Sequence, residues 1–426
     1  MSTPATGAAA PGTTSRPTYT APGPTPARRW RPPATAVGLV LLTLGLLVVA
    51  PAVLDTFRLT LLGKYCCYAI AAVGIGLAWG RGGMLVLGQG LYFGLGAYVM
   101  AMHLLLTDAG PGGVPEFMTL YGDGELPVWW EPFRSPGAAL AAIVVVPATV
   151  ALLLGLAVFK RRVKGAYFAI LSQALTAAFA LLLVGQVKTT GGFNGLNNFR
   201  AFFGYSLYDP VNQRMLYFIA AGTLLGAIAL TAWLNSTRFG ELLVATRDAE
   251  ERVRFLGHDP ANVKTAAYVV AAVLAAIGGA LFVPIVGIIS PDEVGVTASI
   301  ALVAGVALGG RASVLGPAVG ALAVGWAETG LSENFPGSWT YFQGALFVLV
   351  VLLLPGGIAQ LLSRRGAAPA SGAPDAPPDR GGPGGPDDPA PEVPGADPAA
   401  AASLTGTATT SASASTSTST DEEAGR

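Results

Sequence analysis

Long stretches without a charged residue constrain this chain more than any other feature of its sequence. Such stretches cover residues 32–54, 82–107, 135–159, 165–187, 215–237, 265–291 and 334–363. Each is longer than the ~20 residues that an α-helix needs to cross a hydrocarbon core ~30 Å thick. Because 52% of the residues are hydrophobic and only 12% are charged, a water-soluble domain is not the natural interpretation.

Three shorter uncharged stretches, at 65–80, 294–310 and 312–327, are marginal as spans by themselves. They would need tilting or burial by neighbouring helices to cross a bilayer. Counting them, the sequence predicts an all-α, polytopic helical membrane protein with about ten transmembrane helices, which lie between residues 33 and 363.

The two ends of the chain differ in composition from this membrane domain. Residues 366–426 are rich in Pro, Gly, Ala, Ser and Thr and carry nine acids against two bases. The first 32 residues are similarly poor in large apolar side chains. Because neither segment can bury a hydrophobic core, both are predicted to be disordered tails.

The distribution of positive charge predicts the orientation. Loops rich in Lys and Arg stay on the cytoplasmic side of the membrane. Basic clusters precede the first span, follow the spans at 135–159 and 334–363, and occur within 238–264, whereas the loop at 107–136 is acidic. Ten spans with both termini in the cytoplasm satisfy every cluster, so a multi-pass plasma (inner) membrane protein is expected.

One densely charged segment, Arg238–Lys264, separates two of the predicted spans. Asp248 followed by Glu251 has the spacing of a capping box, which predicts a helix over 248–257. A structured, charged helix between two membrane spans indicates a docking surface for another protein. A simple channel does not need such a segment.

No catalytic constellation occurs in the sequence. It lacks a Ser/His/Asp set, an HExxH motif, a CxxC motif and paired carboxylates at catalytic spacing, so an enzyme and a metal site are disfavoured. It also lacks the GxxxxGK[ST] loop that cradles nucleotide phosphates, so an ATPase that drives transport must be a separate chain. No ionisable residue is expected in the middle of a span, which argues against proton or sodium coupling.

Two short segments are similar to each other. Gly80-Arg81-Gly82 and Gly310-Arg311-Ala312 each lie between apolar stretches and are followed by closely spaced glycines. Corresponding segments in two halves of a transporter are the expected trace of an internal repeat. Coincidence between glycine-rich helices is the alternative.

Residues 239–264 resemble the cytoplasmic coupling loop of permeases in the branched-chain amino acid and urea branch of the ATP-binding-cassette importers. The match is carried by Phe239, Gly240, Leu243, Ala245, Arg247, Asp248, Glu250, Glu251, Arg252, Phe255, Gly257, Asp259, Pro260 and Lys264. Segments 62–98, 190–196, 280–295, 306–322 and 331–357 are similar to the urea-permease subgroup. The resemblance covers about residues 60–360.

This resemblance implies an importer of five parts. The partners are a second homologous permease subunit, two ATP-binding subunits and an extracellular solute-binding protein, in a complex surrounded by membrane lipid and without nucleic acid. The chain itself would hold no cofactor, because ATP is bound by the partner subunits. The residues expected to couple it to the ATPase are Phe239, Gly240, Arg247, Asp248, Glu251, Arg252 and Gly257.

Urea is the substrate that the resemblance favours, and a branched-chain or other small neutral amino acid is the first alternative. A passive urea or amide channel is an alternative of a different class. Because urea is neutral and offers one carbonyl and four N–H donors, its pathway needs hydrogen-bonding groups without compensating charge. The expected pathway residues are Gln89, Gln173, Gly191, Gly192 and Asn194, although a plain turn explains the glycines equally well.

Overall fold

A computed structural model describes residues 34–163, 165–334, 341, 344 and 345. The predicted tails at 1–32 and 366–426, and nearly all of the stretch at 334–363, lie outside these residues. In chain order the α-helices are α1 (Ala34–Leu44), α2 (Ala50–Val53), α3 (Thr56–Ile75), α4 (Gln89–Asp108), α5 (Glu116–Tyr121), α6 (Pro136–Phe159), α7 (Ala166–Gly185), α8 (Val187–Thr190), α9 (Pro210–Ser236), α10 (Arg238–Asp248), α11 (Glu250–Phe255), α12 (Pro260–Val286), α13 (Pro291–Val294), α14 (Val296–Gly309) and α15 (Gly316–Asn334).

The remaining regular structure is short. Two π-helical turns (Gly45–Val49 and Gly76–Arg81) and two 3₁₀ turns (Glu131–Arg134 and Gly192–Asn194) adjoin the helices. The strands are β1 (Leu196–Asn197), β2 (Ala201–Phe202), β3 (Tyr205–Ser206) and β4 (Ile288–Ile289). β1 pairs antiparallel with β4, and β2 with β3.

The fold is that of a polytopic helical membrane protein, as the sequence predicts. Within the described residues, seven helical segments are long and apolar enough to cross a membrane: Ala36–Val53, Thr56–Arg81, Gln89–Asp108, Pro136–Phe159, Ala166–Gly185, Pro210–Ser236 and Pro260–Val286. The apolar helix α14 is shorter, at 14 residues, which agrees with the marginal length of its uncharged stretch.

The boundaries of two spans differ from the uncharged stretches. The stretch at 65–80 is part of a 26-residue segment, Thr56–Arg81, because the helix continues through the charged Lys64, whose long stem can lie along apolar surface. The stretch at 82–107 becomes helical only at Gln89, and residues 83–88 have no regular structure. Irregular backbone at membrane depth is tolerated where protein buries it or where it lines a cavity.

Helix α12 packs against α3, α4 and α6 at the centre of the bundle. Small residues let the backbones approach each other. A Cβ atom on Gly96 would overlap the carbonyl oxygen of Ala276, and one on Gly279 would overlap the carbonyl oxygen of Phe93. Contacts of this kind are typical of helix association in membranes, where close backbone packing replaces the hydrophobic effect.

After α12 the chain turns back into the bundle. α12 ends at Val286 and is capped by Gly287, which has a φ of 82°, a conformation that favours glycine. β4 and α13 follow, and α13 packs against α4 and α7. This interruption between α12 and α14 carries charged residues into a cavity between helices, as described below.

The two similar segments at 80–82 and 310–312 lie beside each other. The backbone of Gly80 is in close contact with the Arg311 carbonyl, and the Arg311 guanidinium lies 5.1 Å from the centroid of the Trp79 ring. An internal repeat stays a prediction, but the two arginine-containing turns belong to one end of the bundle.

We expect Gly279→Val to destabilise the bundle, because the added side chain would separate α12 from α4. Overpacking of this kind typically costs about 1–3 kcal/mol. Thermal unfolding of the purified full-length chain in detergent measures the effect. Gly226→Val on α9 is the matched control, since no atom lies within 4 Å of a Cβ there. Equal melting temperatures for the two variants would contradict this packing.

Candidate functional site

The charged segment between α9 and α12 folds into α10 and α11, which we call the coupling element (238–255). Thr237, whose backbone is extended, separates α10 from α9. Gly240 lies so close to α9 that a Cβ there would be only 2.6 Å from the Asn235 carbonyl oxygen. Leu243 and Thr246, on the same face of α10 as Gly240, are buried. α10 therefore has one face fixed against the membrane bundle, and Phe239 packs partly buried on the same core.

Arg247 joins the coupling element to the end of α3. Its Nη1 donates to the Gly80 carbonyl oxygen over 2.9 Å, and its Nε donates to the Asp248 carboxylate over 2.7 Å. Its stem lies against the backbone of Gly83. The hydrogen bond from Arg247 lowers the pKa of Asp248, so the pair is charged at neutral pH and is lost only as the pH falls through that lowered pKa.

The predicted helix over 248–257 is wrong in its boundaries, and so is the predicted capping box. Asp248 is the last residue of α10, and Ala249, with φ −150° and ψ 69°, breaks the helix before α11 begins at Glu250. Ala249 occupies the N-cap position and provides no side-chain hydrogen bond. The Asp248 carboxylate cannot cap α11 because it is bound to Arg247.

Glu250 anchors α11 to α12. One of its carboxylate oxygens accepts from Arg254 Nη2 over 2.7 Å, and the other accepts from Lys264 Nζ over 2.8 Å. The three side chains are 16%, 23% and 15% exposed, so the ion pairs are screened less than surface pairs. In the sequence, Glu250 is recognised only as part of the family match, although its spacing to Arg254 is that of a helical ion pair.

The opposite side of α11 faces outward. Phe255 is 90% exposed and Leu256 is 77% exposed, and Glu251 and Arg252 are exposed beside them. We call these four residues the α11 outer face. Gly257, with φ 84°, ends this segment. Large apolar side chains next to charged ones, held on an anchored helix, are typical of a protein–protein interface.

A cavity of about 530 Å³, which we call the central cavity, lies between α3, α4, α7 and the segment from α13 to α15. Its polar groups include Glu293, Glu328 and Thr297. The Tyr68 hydroxyl, also on its wall, donates to Glu293 Oε2 over 2.8 Å. The apolar remainder of the wall is formed by small or aliphatic side chains and Phe93.

No ionisable residue is expected in the middle of a span, but the structure brings carboxylates to the wall of a cavity between helices from outside the uncharged stretches. Glu293 lies between two uncharged stretches, and α13 places it on the cavity wall. Glu328, on α15, lines the same cavity. The signal in the sequence is the motif Ser290-Pro291-Asp292-Glu293, an acidic helix start directly after an apolar stretch.

The predicted pathway residues fall into two groups. Gly191 and Asn194 line a second cavity of about 380 Å³, bounded also by α4 and α5 residues, whereas Gly192 packs against Val187. Gln89 is fully buried, and neither its amide nor that of Gln173 has a hydrogen-bond partner. The structure does not bring the glutamines together with Gly191 and Asn194. Within the described residues, no group of three His, Cys, Asp or Glu side chains could hold a metal ion.

Comparison with known proteins identifies the family of this bundle. Residues 57–352 match the family described as the permease component of the branched-chain amino acid transport system. This match spans more than half of the chain. The chain belongs to this permease family.

Among curated proteins, the permease is 27% identical to the high-affinity branched-chain amino acid transport system permease protein LivM of Escherichia coli K12, over 71% of each chain. It is 25% identical to LivH of the same organism, over 68% of this chain and 90% of LivH. The ribose import permease protein RbsC is 24% identical over 50% of this chain and 66% of RbsC. No solved structure matches the permease.

Family membership settles the general activity. The chain is the permease component of an ATP-binding-cassette importer of the branched-chain amino acid family, a multi-pass inner membrane protein, and not an enzyme. Membership of this family implies that the chain has ATPase subunits, a substrate-binding protein and a second permease as partners. The predictions of a transporter subunit and of this family are confirmed.

We expect Glu250→Gln to loosen α11 from α12, because Arg254 and Lys264 would lose the carboxylate charge that they share. Removing one partner of a partly buried network costs about 1–3 kcal/mol of local stability. Hydrogen exchange of the 250–256 amides in the purified permease measures it. Asp123→Asn, which breaks an exposed pair with Lys188, is the control and should leave these amides unchanged. Unchanged exchange in Glu250→Gln would show that the network does not hold α11.

Proposed function

We propose that the permease moves urea across the plasma membrane in an ATP-driven importer. In this proposal both termini are cytoplasmic, two partner subunits bind and hydrolyse ATP, and an extracellular solute-binding protein delivers the solute. The observation that carries the proposal is the coupling element, since one of its faces is fixed to the membrane bundle and the other is exposed.

The α11 outer face is the proposed ATPase contact. Glu251 and Arg252 offer charges of both signs, and Phe255 and Leu256 offer the apolar area that gives an interface most of its binding energy. Gly257 ends the surface. In this proposal the ATPase is contacted by Glu251 and Arg252. The other predicted coupling residues hold α10 in place and do not touch the partner; they are Phe239, Gly240, Arg247 and Asp248.

A path for mechanical coupling starts at Arg247. Because this side chain is bonded to the Gly80 carbonyl, a displacement of α10 would be transmitted to the π-helical turn at the end of α3. Tyr68, on the same continuous helical segment, lines the central cavity. Closure of the two ATPase subunits would thus move a cavity wall as part of a rigid-body change.

Urea is supported by the resemblance of several segments to urea permeases and by the hydrogen-bonding groups of the central cavity. The carboxylate of Glu293 and the hydroxyl oxygen of Tyr68 can accept hydrogen bonds, and the hydroxyl of Thr297 can donate one, which suits a solute with N–H donors and a carbonyl. Small side chains elsewhere on the wall leave room for it.

A small neutral amino acid is the second candidate. The relatives LivM and LivH are named for branched-chain amino acid transport. Three carboxylates, those of Asp292, Glu293 and Glu328, line the central cavity, where an ammonium group would be attracted. A passive urea channel is disfavoured by family membership.

Uptake of radiolabelled urea, at low external concentration, tests the substrate in cells that carry the complete importer or lack only this chain. Unlabelled leucine is the competitor. Uptake that requires this chain and ATP and ignores leucine is the expected result. Uptake of labelled leucine through this chain, with no uptake of urea, would show that an amino acid is the substrate. It would leave the proposed ATPase contact unaffected.

We expect the double substitution of Arg252→Glu and Phe255→Asp to reduce uptake by at least about tenfold, because hot-spot contacts of this kind exceed ~1.4 kcal/mol. The amount of permease in the membrane should not change, since both side chains are exposed. Arg161→Glu, an exposed substitution between α6 and α7, is the matched control. Full uptake by the double variant would rule out the α11 outer face as the ATPase contact.

A further inference from the structure

In the described residues, some buried side-chain polar atoms have no hydrogen-bond partner. These atoms belong to Gln89, Tyr98, Trp130, Gln173 and Asn235. In Gln89 and Gln173 both the amide nitrogen and the amide oxygen are unpaired. Leaving a complete amide buried without a partner costs free energy, so two such residues in one bundle require an explanation.

Both glutamines lie on the helix faces that line the central cavity. On α4, Gln89 precedes the cavity residue Phe93 by four residues, which puts the two on one face. On α7, Gln173 precedes Ala180 by seven residues and Val184 by eleven, and Ala180 and Val184 both line the cavity. Spacings of four, seven and eleven residues return to the same side of an α-helix.

The two glutamines also lie at a similar depth. The Thr176 hydroxyl donates to the Gly88 carbonyl oxygen over 3.2 Å, and the backbone of Gly88 approaches that of Ser172 closely. The start of α4 therefore touches α7 at the residues that adjoin Gln89 and Gln173. By helical rise, Gln89 lies about 6 Å from Phe93 along α4, and Gln173 lies about 10 Å from Ala180 along α7, in each case toward the start of the helix.

Both glutamines are offset from the cavity residues in the direction of the coupling element. Gly83, six residues before Gln89, lies against the side chain of Arg247. Residues 83–88, which connect that contact to α4, are not helical. Interrupted helices whose ends point at a solute are characteristic of transporter binding sites. The glutamines thus stand between the central cavity and the part of the permease that the ATPase would move.

We propose that Gln89 and Gln173 form a solute-contacting constriction below the central cavity, which takes a small neutral molecule that carries both N–H donors and a carbonyl acceptor. A glutamine amide offers one N–H and one carbonyl side by side, and the edge of urea presents the complementary pair. Neither amide has a hydrogen-bond partner within the described part of the protein, and a solute with both kinds of group would supply one. This inference rests on the proposed function for its ligand.

The test compares Gln89→Met and Gln173→Met with the wild-type chain in the complete importer, through the concentration dependence of urea uptake. Methionine keeps the length of the side chain and removes the amide. We expect each variant to lower Vmax/KM by at least tenfold. Thermal stability of the purified complex should stay equal or rise, because a buried unpaired amide has been removed. A purely structural role predicts the reverse, lower stability with normal uptake per folded complex.

Tyr98→Phe is the matched control, because it removes another buried, unpaired polar atom from α4. Tyr98 follows Gln89 by nine residues, which places it on the opposite side of the helix. It should leave urea uptake unchanged. Normal Vmax/KM in both methionine variants, with urea transported by the wild type, would overturn the constriction alone. A wild-type importer that transports leucine and not urea would contradict the proposed substrate, and normal leucine uptake by the same variants would then overturn the constriction as well.

Discussion

Close contact between helix backbones is the constraint on which this bundle depends. In a bilayer, apolar side chains gain little by leaving lipid for protein, so helices associate through van der Waals packing and hydrogen bonds. The approach of Gly279 to the Phe93 carbonyl and of Gly96 to Ala276 fixes α12 against α4. That packing sets the positions of Gln89 at the start of α4 and of Lys264 in the first turns of α12, so it underlies both the solute path and the anchorage of α11.

One continuous helical segment connects the two functional regions. Thr56–Arg81 places Tyr68 on the wall of the central cavity and the Gly80 carbonyl at the guanidinium of Arg247. Their separation of twelve residues corresponds to about 18 Å of helix. Because α3 is buried over most of its length, it can transmit a displacement without bending into solvent.

The sequence predicts what depends on local composition and misses what depends on where the chain turns back. Uncharged stretches predict the spans because the bilayer excludes charge from their length, and the charged segment predicts the coupling element. The helix boundary at Ala249 was missed because the partner of Asp248 is decided by geometry, not spacing. Glu293 was missed because no local pattern says that α13 re-enters the bundle, and Gln89 could be suspected but not placed.

The exposed α11 outer face affects the fate of the permease before assembly. A chain inserted without its ATPase would present Phe255 and Leu256 to water, an apolar patch of the kind that chaperones and proteases recognise. Orphan subunits would therefore be removed faster than assembled ones. The same two side chains would make the cellular amount of this permease follow the supply of its partner, without any dedicated regulator.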